Sequence, residues 1–310
     1  MEFSFTPLGV SAAQPAYGRH LAGHVLSAGN ELFLLDCGEG TQFQFNRYGV
    51  KRNRIRHIFI SHLHGDHFFG LIGLLTSMGM NDRQEPLTVY SPPGLEQIIR
   101  LQLQWSGTQL PYALTFLPVD SSRRYRILET NHLEVDAFPL DHRTPCAGFL
   151  FREKPIPLNI IPEVIEQYGL SFEQIREIKE GAGLVLPDGQ VVANRELTLA
   201  PYRPRSFAYC SDTAFSEAVA GYVEGVDLLY HESTFLEEDA GLAAQTWHST
   251  ARQAAEVARL AGAAMLVIGH YSARYPDVSV LLQEAGEVFR PVVRGEEGVA
   301  VSVPLVRISA

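Results

Sequence analysis

The sequence predicts an α/β protein in which polar residues gather at the ends of buried strands. Short runs rich in β-branched and aromatic residues, such as IRHIFIS at 55–61 and MLVIGH at 265–270, are typical of buried strands. Stretches with helical periodicity, at 94–105 and 250–262, separate such runs. No low-complexity run, charge block or repeat interrupts the chain. We therefore expect one large α/β domain over residues 1–310.

The elements can be assigned in order along the chain. HVLSAGNELFLLD alternates apolar residues around AGN and predicts a β-hairpin at 24–36. Helical periodicity follows His67, and Gly262 is a suitable stop for the helix at 250–262. The other predicted strands are 55–61, 87–90, 132–138, 207–211, 227–232 and 265–270.

Several of these strands end in a polar side chain that can bind a metal ion. The residues are His62, Asp212, Glu232 and His270. Irregular segments at the ends of a rigid sheet are where functional sites are usually built. The sequence therefore predicts one convergent site.

The charge of the chain limits the kinds of partner. The formal net charge is −10, from 25 Lys and Arg against 35 Asp and Glu. This argues against a protein that coats nucleic acid nonspecifically. It leaves room for a nucleic-acid enzyme with a local basic patch.

The cysteines and the apolar segments predict a cytoplasmic protein. Cys37, Cys146 and Cys210 form neither a disulfide framework nor a CxxC pair. The first residues lack the basic and apolar regions of a signal peptide. No window reaches the roughly 20 apolar residues of a membrane span.

The stretch FISHLHGDHFFG places four possible metal ligands within six positions: His62, His64, Asp66 and His67. His62 and His64 are two residues apart, so an extended segment points both to the same side. Gly65 permits a turn, after which Asp66 and His67 enter a helix and face elsewhere. The spacing suggests two adjacent metal ions, each held by one of these pairs.

Six residues cannot complete two metal coordination shells. Further possible ligands are His142 in PLDHRTP, Asp212 in YCSDTAF and His270 in VIGHYSARY. A carboxylate such as Asp212 can bridge two ions through its two oxygens. Two metal ions about 3.5–4 Å apart can activate water and stabilise a displacement at phosphorus.

At this point the sequence resembles known families. HLHGDH matches the HxHxDH pattern of the metallo-β-lactamase superfamily, which alone leaves the substrate open. Other segments, in order along the chain, resemble the ribonuclease Z family, the tRNA 3′-processing endonucleases. They are DCGEGTQFQ (36–44), IFISHLHGDHFFGLIGLL (58–75), PLDHRTPCAGFLFREKP (139–155), YCSDT (209–213), DLLYHESTF (227–235), HSTARQAAEVA (248–258) and GHYSARY (269–275).

The resemblance implies an αββα sandwich, in which two mixed sheets face each other with helices outside, and two zinc ions per chain. One zinc would be held by His62, His64 and His142. The other would be held by Asp66, His67 and His270, with Asp212 as the bridge.

The resemblance also implies roles in catalysis. HEST (231–234) and HST (248–250) resemble paired family motifs, in which His248 protonates the leaving 3′ oxygen with support from Glu232. Asp66 would double as the general base, and Arg274 would contact a phosphate or the RNA 3′ end. The activity would remove the 3′ trailer from precursor tRNA and leave a 3′-hydroxyl.

Substrate contacts are expected in the basic run RYGVKRNRIR at 47–56, above all at Arg52 and Arg54. Many family members carry a basic arm that grips tRNA. The corresponding region, about 152–195, has five basic and seven acidic residues here and reads as two short helices and a hairpin around PDG. We therefore expect a modified arm.

Other functions stay open at this stage. A phosphodiesterase acting on small or cyclic diesters is the first alternative, favoured by the acidic 152–195 region. A lactone or thioester hydrolase and a noncatalytic metal scaffold are more distant. The family further implies a homodimer, for which the apolar segment 68–80 offers a surface.

Overall fold

The computed structural model describes residues 2–308. Within this range the strands are β1 (Phe3–Gly9), β2 (Gly23–Ala28), β3 (Glu31–Cys37), β4 (Ile55–Phe59), β5 (Leu87–Ser91), β6 (Leu114–Pro118), β7 (Tyr125–Glu129), β8 (Leu133–Leu140), β9 (Cys146–Glu153), β10 (Leu184–Val185), β11 (Val191–Val192), β12 (Ser206–Cys210), β13 (Leu228–Glu232), β14 (Leu266–Gly269), β15 (Val292–Arg294) and β16 (Val301–Ser302). The helices are α1 (Thr41–Arg47), α2 (Gly65–Phe68), α3 (Leu71–Met80), α4 (Leu95–Trp105), α5 (Pro162–Tyr168), α6 (Phe172–Lys179), α7 (Asn194–Leu197), α8 (Glu217–Tyr222), α9 (Ala240–Thr246), α10 (Ala251–Ala261) and α11 (Ser279–Val288).

Most of these strands form two seven-stranded sheets. The order is β16-β1-β2-β3-β4-β5-β6 in the first and β15-β14-β13-β12-β9-β8-β7 in the second. Strands β3 to β6 are parallel to one another, as are β12 to β15. The carboxyl ends of parallel neighbours meet at one edge of each sheet, so the loops after β4, β12 and β14 are available to build a common site.

The two sheets face each other across an aromatic core. Phe5 of β1 stacks on Phe207 of β12 with ring centroids 4.8 Å apart. Phe59 of β4 meets Phe149 of β9 at 5.2 Å. These rings are buried, so the sheets form the two inner layers of a sandwich.

The helices form the outer layers because neighbouring residues of a strand point to opposite faces. On β4, Phe59 faces the second sheet, whereas Ile58 packs with Leu74 of α3. On β12, Phe207 faces the first sheet, whereas Ala208 joins the core that includes helices α8, α10 and α11. The predicted αββα fold is confirmed.

The chain separates into two compact units. The larger contains the residues up to Leu128, Val135–Phe151 and Ser206–Val303. The smaller contains Glu129–Glu134, Arg152–Arg205 and the residues from Pro304 onward. Its own core gathers apolar side chains from α5, α6, α7, the β10–β11 hairpin and the loops beside α5: Ile160, Val164, Leu170, Ile178, Leu184, Val192 and Leu197.

The strands and helices predicted from the sequence are confirmed, including the two short helices and the hairpin within 152–195. Helix α10 begins after Thr250, whose side chain accepts from the Gln253 amide, and ends at Gly262 with φ 60°. The segment 68–80, predicted as a dimer surface, is only partly exposed. Its apolar residues Phe68, Leu71, Leu74, Leu75 and Met78 are buried in the core of the first sheet, although Phe69 and Met80 are exposed.

Candidate active site

The predicted metal ligands converge at the strand ends of the larger unit. His62 and His64 lie in the loop after β4, and Asp66 and His67 lie in the short helix α2. The other three side chains follow β8, β12 and β14: His142, Asp212 and His270. They form two groups of potential ligand atoms, His62, His64, His142 and Asp212 in one and Asp66, His67 and His270 in the other. Within each group the atoms lie within 4.8 Å of one another.

Asp212 faces both groups with different oxygens. Its Oδ2 lies 3.5 Å from Nε2 of His62 and 3.9 Å from Nε2 of His142. Its Oδ1 lies 3.4 Å from Nε2 of His67 and 3.2 Å from Nε2 of His270. This is the geometry expected of a carboxylate that bridges two cations.

The outer ring nitrogens of four histidines are held by neighbouring groups. Nδ1 of His67 lies 2.8 Å from Asp36 Oδ2, and Nδ1 of His270 lies 2.9 Å from Thr234 Oγ1. Similarly, Nδ1 of His62 contacts Ser61 Oγ and Nδ1 of His142 contacts the Trp247 carbonyl. Such contacts fix the tautomer and direct Nε2 into the site, where a metal ion can bind. Nε2 of His62 and Nε2 of His142 converge there on Nδ1 of His64, at 3.0 and 3.2 Å.

Several inward-facing atoms fit a cation. Among the described residues, the buried atoms His67 Nε2, His270 Nε2 and Asp212 Oδ1 make no hydrogen bond. Burial opposes charge on His67, yet Asp212, Asp66 and Asp36 raise its pKa well above the ordinary value. Burial likewise opposes charge on Asp212, but the surrounding histidines hold its pKa well below the ordinary range. In the other group, burial lowers the pKa values of His62, His64 and His142 and so favours neutral rings. Neutral imidazole nitrogens and carboxylate oxygens suit divalent metals such as zinc.

His248, which is half-buried, pairs with the fully buried Glu232 beside Asp212. Nδ1 of His248 lies 2.8 Å from Glu232 Oε1, and Nε2 lies 4.0 Å from Asp212 Oδ2. Burial lowers the pKa of His248, but the carboxylates of Glu232 and Asp212 outweigh it and raise the pKa to about 9. The backbone amides of Thr213 and Ser249 also donate to Glu232, which fixes its position.

A cavity of about 970 Å³ opens onto the ligand groups. It is lined by His64, Asp66, Asp212, His248 and His270, and also by Arg143 and Arg274. Both arginines are exposed. Arg52 and Arg54 line a different, shallow cavity of about 410 Å³ and donate to Asn46 Oδ1 and the Asn30 carbonyl.

Two residues of the site, Asp36 and Arg143, were not predicted from the sequence. Asp36 accepts from the Ser61 amide, the Ser61 hydroxyl and the Tyr209 hydroxyl, besides contacting His67. It lies in DCGEG, a segment that resembles the family, but nothing in the local pattern indicated its partner. Arg143 follows His142 directly, and this position next to a predicted metal ligand could have indicated that it lines the site.

Two family models match parts of the chain. One, described as "Anti-Pycsar protein Apyc1", matches residues 3–156. The other, described as "Beta-lactamase superfamily domain", matches residues 193–271.

Known proteins match nearly the whole chain. A ribonuclease Z from Parabacteroides distasonis is 45% identical over 97% of this chain and 99% of its own length. One from Cytophaga hutchinsonii is 44% identical over 96% of this chain and 95% of its own length. The crystal structure of the short form of human tRNase Z superposes with a TM-score of 0.70 at 28% identity, covering 97% of this chain and 99% of that one.

The facing sheets and the histidine–aspartate site at their strand ends define a hydrolase of the metallo-β-lactamase fold. At the identities found, the chain belongs to the ribonuclease Z family of metal-dependent endoribonucleases. Within residues 2–308, none of the helices has the length and apolar character needed to cross a membrane.

Proposed function

We propose that this chain is a zinc-dependent endoribonuclease that removes the 3′ trailer from precursor tRNA. The observation that carries the proposal is the arrangement around Asp212. Its two oxygens face separate histidine groups, and His248 lies beside them. This combination would supply two metal sites and a proton donor, the groups that metal-dependent cleavage of an RNA phosphodiester uses.

The proposed ligands follow the two groups. His62, His64 and His142 would hold one zinc ion. Asp66, His67 and His270 would hold the other, with Asp212 shared between them. The bound ions would lower the pKa of a water molecule and stabilise charge on the phosphodiester.

Asp66 is proposed to orient the attacking water. Its Oδ2 accepts the amide of Ala13 at 2.9 Å, which restrains the carboxylate at the cavity wall. A carboxylate held in this way accepts a hydrogen bond from water and acts as general base.

His248 is proposed as the general acid. Its Nδ1–H is directed to Glu232, so the proton on Nε2 is the one available to the leaving 3′ oxygen. The raised pKa keeps the imidazolium populated at neutral pH. The products would be a tRNA with a 3′-hydroxyl and a trailer with a 5′-phosphate.

Arginines are proposed to bind the RNA backbone. Arg274 and Arg143 line the catalytic cavity and would contact phosphates next to the cut. Arg52 and Arg54 lie in the separate basic segment and would contact the tRNA body. Guanidinium groups suit this role because they bind phosphate oxygens in a bidentate manner.

We further propose that the inserted region at 152–195 is a modified tRNA-binding arm within one metallo-β-lactamase-fold chain. Its composition is acidic, with seven acidic against five basic residues. The family resemblance supports a cytoplasmic homodimer.

The direct test is to incubate the zinc-loaded protein with a 3′-extended tRNA precursor and to map the cut. Cleavage after the discriminator base, leaving a 3′-hydroxyl, is the expected result. If the precursor stays intact while a small or cyclic phosphodiester is hydrolysed, the alternative of a small-molecule phosphodiesterase replaces this proposal.

A further inference from the structure

Tyr17 occupies a backbone conformation that does not suit its side chain. Ala16 and Arg19 exchange two backbone hydrogen bonds of 3.2 and 2.9 Å, so Tyr17 and Gly18 form a two-residue turn. Both have positive φ, 53° for Tyr17 and 74° for Gly18. Turns of this kind favour Asn-Gly, because a large side chain is strained in the left-handed region.

Packing of the side chain does not explain why a tyrosine occupies this left-handed position. Its side chain is 61% exposed, and its hydroxyl forms no hydrogen bond with the residues that the structure describes. The clear contact of the ring is with the Arg19 guanidinium, 5.2 Å from the ring centroid. The strained backbone of Tyr17 is not compensated by burial of its side chain, which indicates that the exposed ring has a functional role.

Arg19 holds the ring at a defined place. Its guanidinium donates to the carbonyls of Ser272, Tyr275 and Pro276, the shortest bond being 2.9 Å to Tyr275. The segment that bears these three carbonyls follows His270 and contains Arg274. On the other side, the segment Ala12–Pro15 lines the catalytic cavity. The turn at Tyr17 is therefore connected to two segments that line the catalytic cavity, one through the chain and the other through hydrogen bonds of Arg19.

A second cavity, of about 280 Å³, lies on the Tyr17 side of this segment. Its lining includes Tyr17, Arg19, Arg47, Tyr48 and Arg294. The Arg47 guanidinium lies over the Tyr48 ring at 5.5 Å from the centroid. Within residues 2–308 the Arg47 guanidinium has no hydrogen-bonding or ion-pair partner, so it can bind an anion.

The two carboxylates of this cavity are already engaged. Glu296 Oε2 pairs with Arg294 at 3.0 Å. Glu297 pairs with Nδ1 of His20 at 2.8 Å and accepts from Gln44. These carboxylates therefore do not neutralise Arg47. The cavity combines the exposed face of the Tyr17 ring with the unpaired Arg47 guanidinium.

We propose that this cavity binds one unpaired nucleotide of the RNA substrate, with its base stacked on Tyr17 and its phosphate on Arg47. Single-stranded RNA is recognised by such pairs of aromatic rings and cations. The proposal rests on the proposed function, because it assumes that RNA enters the neighbouring catalytic cavity.

The test compares three forms of the zinc-loaded enzyme: wild type, Tyr17→Phe and Tyr17→Asn. Asparagine suits the left-handed turn better than tyrosine, so the variant folds but lacks the ring. A short single-stranded RNA is used as an inhibitor of bis(p-nitrophenyl) phosphate hydrolysis, and KM is measured for precursor tRNA.

We expect Tyr17→Asn to raise the inhibition constant of the RNA and the KM for the precursor about tenfold, a loss typical of one stacked base. Tyr17→Phe stays near wild type. Unchanged constants in Tyr17→Asn would overturn the proposal. So would an equal rise in the KM of the small diester, since the turn would then shape the catalytic cavity itself.

Failure of the proposed function gives a different result. In that case wild type does not cut precursor tRNA, yet the RNA inhibition constants of Tyr17→Asn and Tyr17→Phe still decide whether the nucleotide subsite exists. Arg47→Gln provides the second arm. It should weaken RNA inhibition and reduce the salt dependence by about one ion; an unchanged salt dependence would remove Arg47 from the subsite.

Discussion

Nδ1 of His248 lies 2.8 Å from Oε1 of Glu232, whose carboxylate is fully buried. The pair lies beside Asp212, and His248 is absent from the two proposed ligand sets, although a ring nitrogen of His248 also lies within 4.8 Å of ligand atoms of Asp212 and His270. His248 can therefore donate a proton without disturbing the proposed metal ligands. A substitution of His248 should remove the proton donor and leave metal binding intact.

Replacing His248 by alanine should abolish most cleavage while leaving bound metal in place. The expected loss in kcat on precursor tRNA is about 10²–10⁴-fold, the usual contribution of a general acid. Rate measurements and metal analysis on the same preparation check this. Turnover equal to wild type would eliminate His248 as the proton donor.

Replacing Glu232 by glutamine should move the alkaline limb of the pH–rate profile to lower pH. The acid must be protonated to act, so activity falls as the pH rises through the pKa of His248. The Glu232 carboxylate helps raise that pKa, and its removal lowers the pKa again. The measurement is kcat/KM against pH; an unmoved alkaline limb would show that another group sets it.

Replacing Asp36 by asparagine should weaken metal binding about 10–100-fold, the usual effect of losing a group that orients a ligand histidine. Its carboxylate holds Nδ1 of His67 at 2.8 Å. The affinity is measured by competition with a zinc chelator. Tyr209→Phe is the matched control: it removes one donor to Asp36 and should have a smaller effect. Equal affinities in Asp36→Asn and wild type would contradict the orienting role.

Replacing Phe207 by alanine should lower the free energy of unfolding by about 3–5 kcal/mol, because it opens a cavity between the sheets. Phe207 is fully buried and stacks on Phe5. Phe172→Ala is the control, since that side chain is 94% exposed and its loss should cost no more than about 0.5 kcal/mol. Urea unfolding measures both, and similar midpoints for the two variants would contradict the face-to-face packing.

The sequence was most informative where function and strand pattern coincide. His62, Asp212 and His270 each follow a buried apolar run, and possible metal ligands at the ends of several predicted strands indicated one convergent site. HxHxDH and the other family-like motifs then indicated the ligand set.

Contacts between distant segments could not be predicted in this way. Asp36 meets His67 across 31 residues of sequence, and the Trp247 carbonyl meets His142 across 105. Neither contact leaves a periodic signal. The apolar residues of 68–80 illustrate a related point: hydrophobicity predicts burial, but it does not say whether the covering residues belong to the same chain or to another.

If two metal ions share Asp212, metal analysis of the purified protein should show it. We expect close to two zinc ions per chain in wild type and clearly fewer in Asp212→Ala. Asp141→Asn, which changes an exposed carboxylate next to His142, should keep both. An absence of zinc from the wild-type protein, or the same zinc content in Asp212→Ala as in wild type, would contradict the sharing of Asp212.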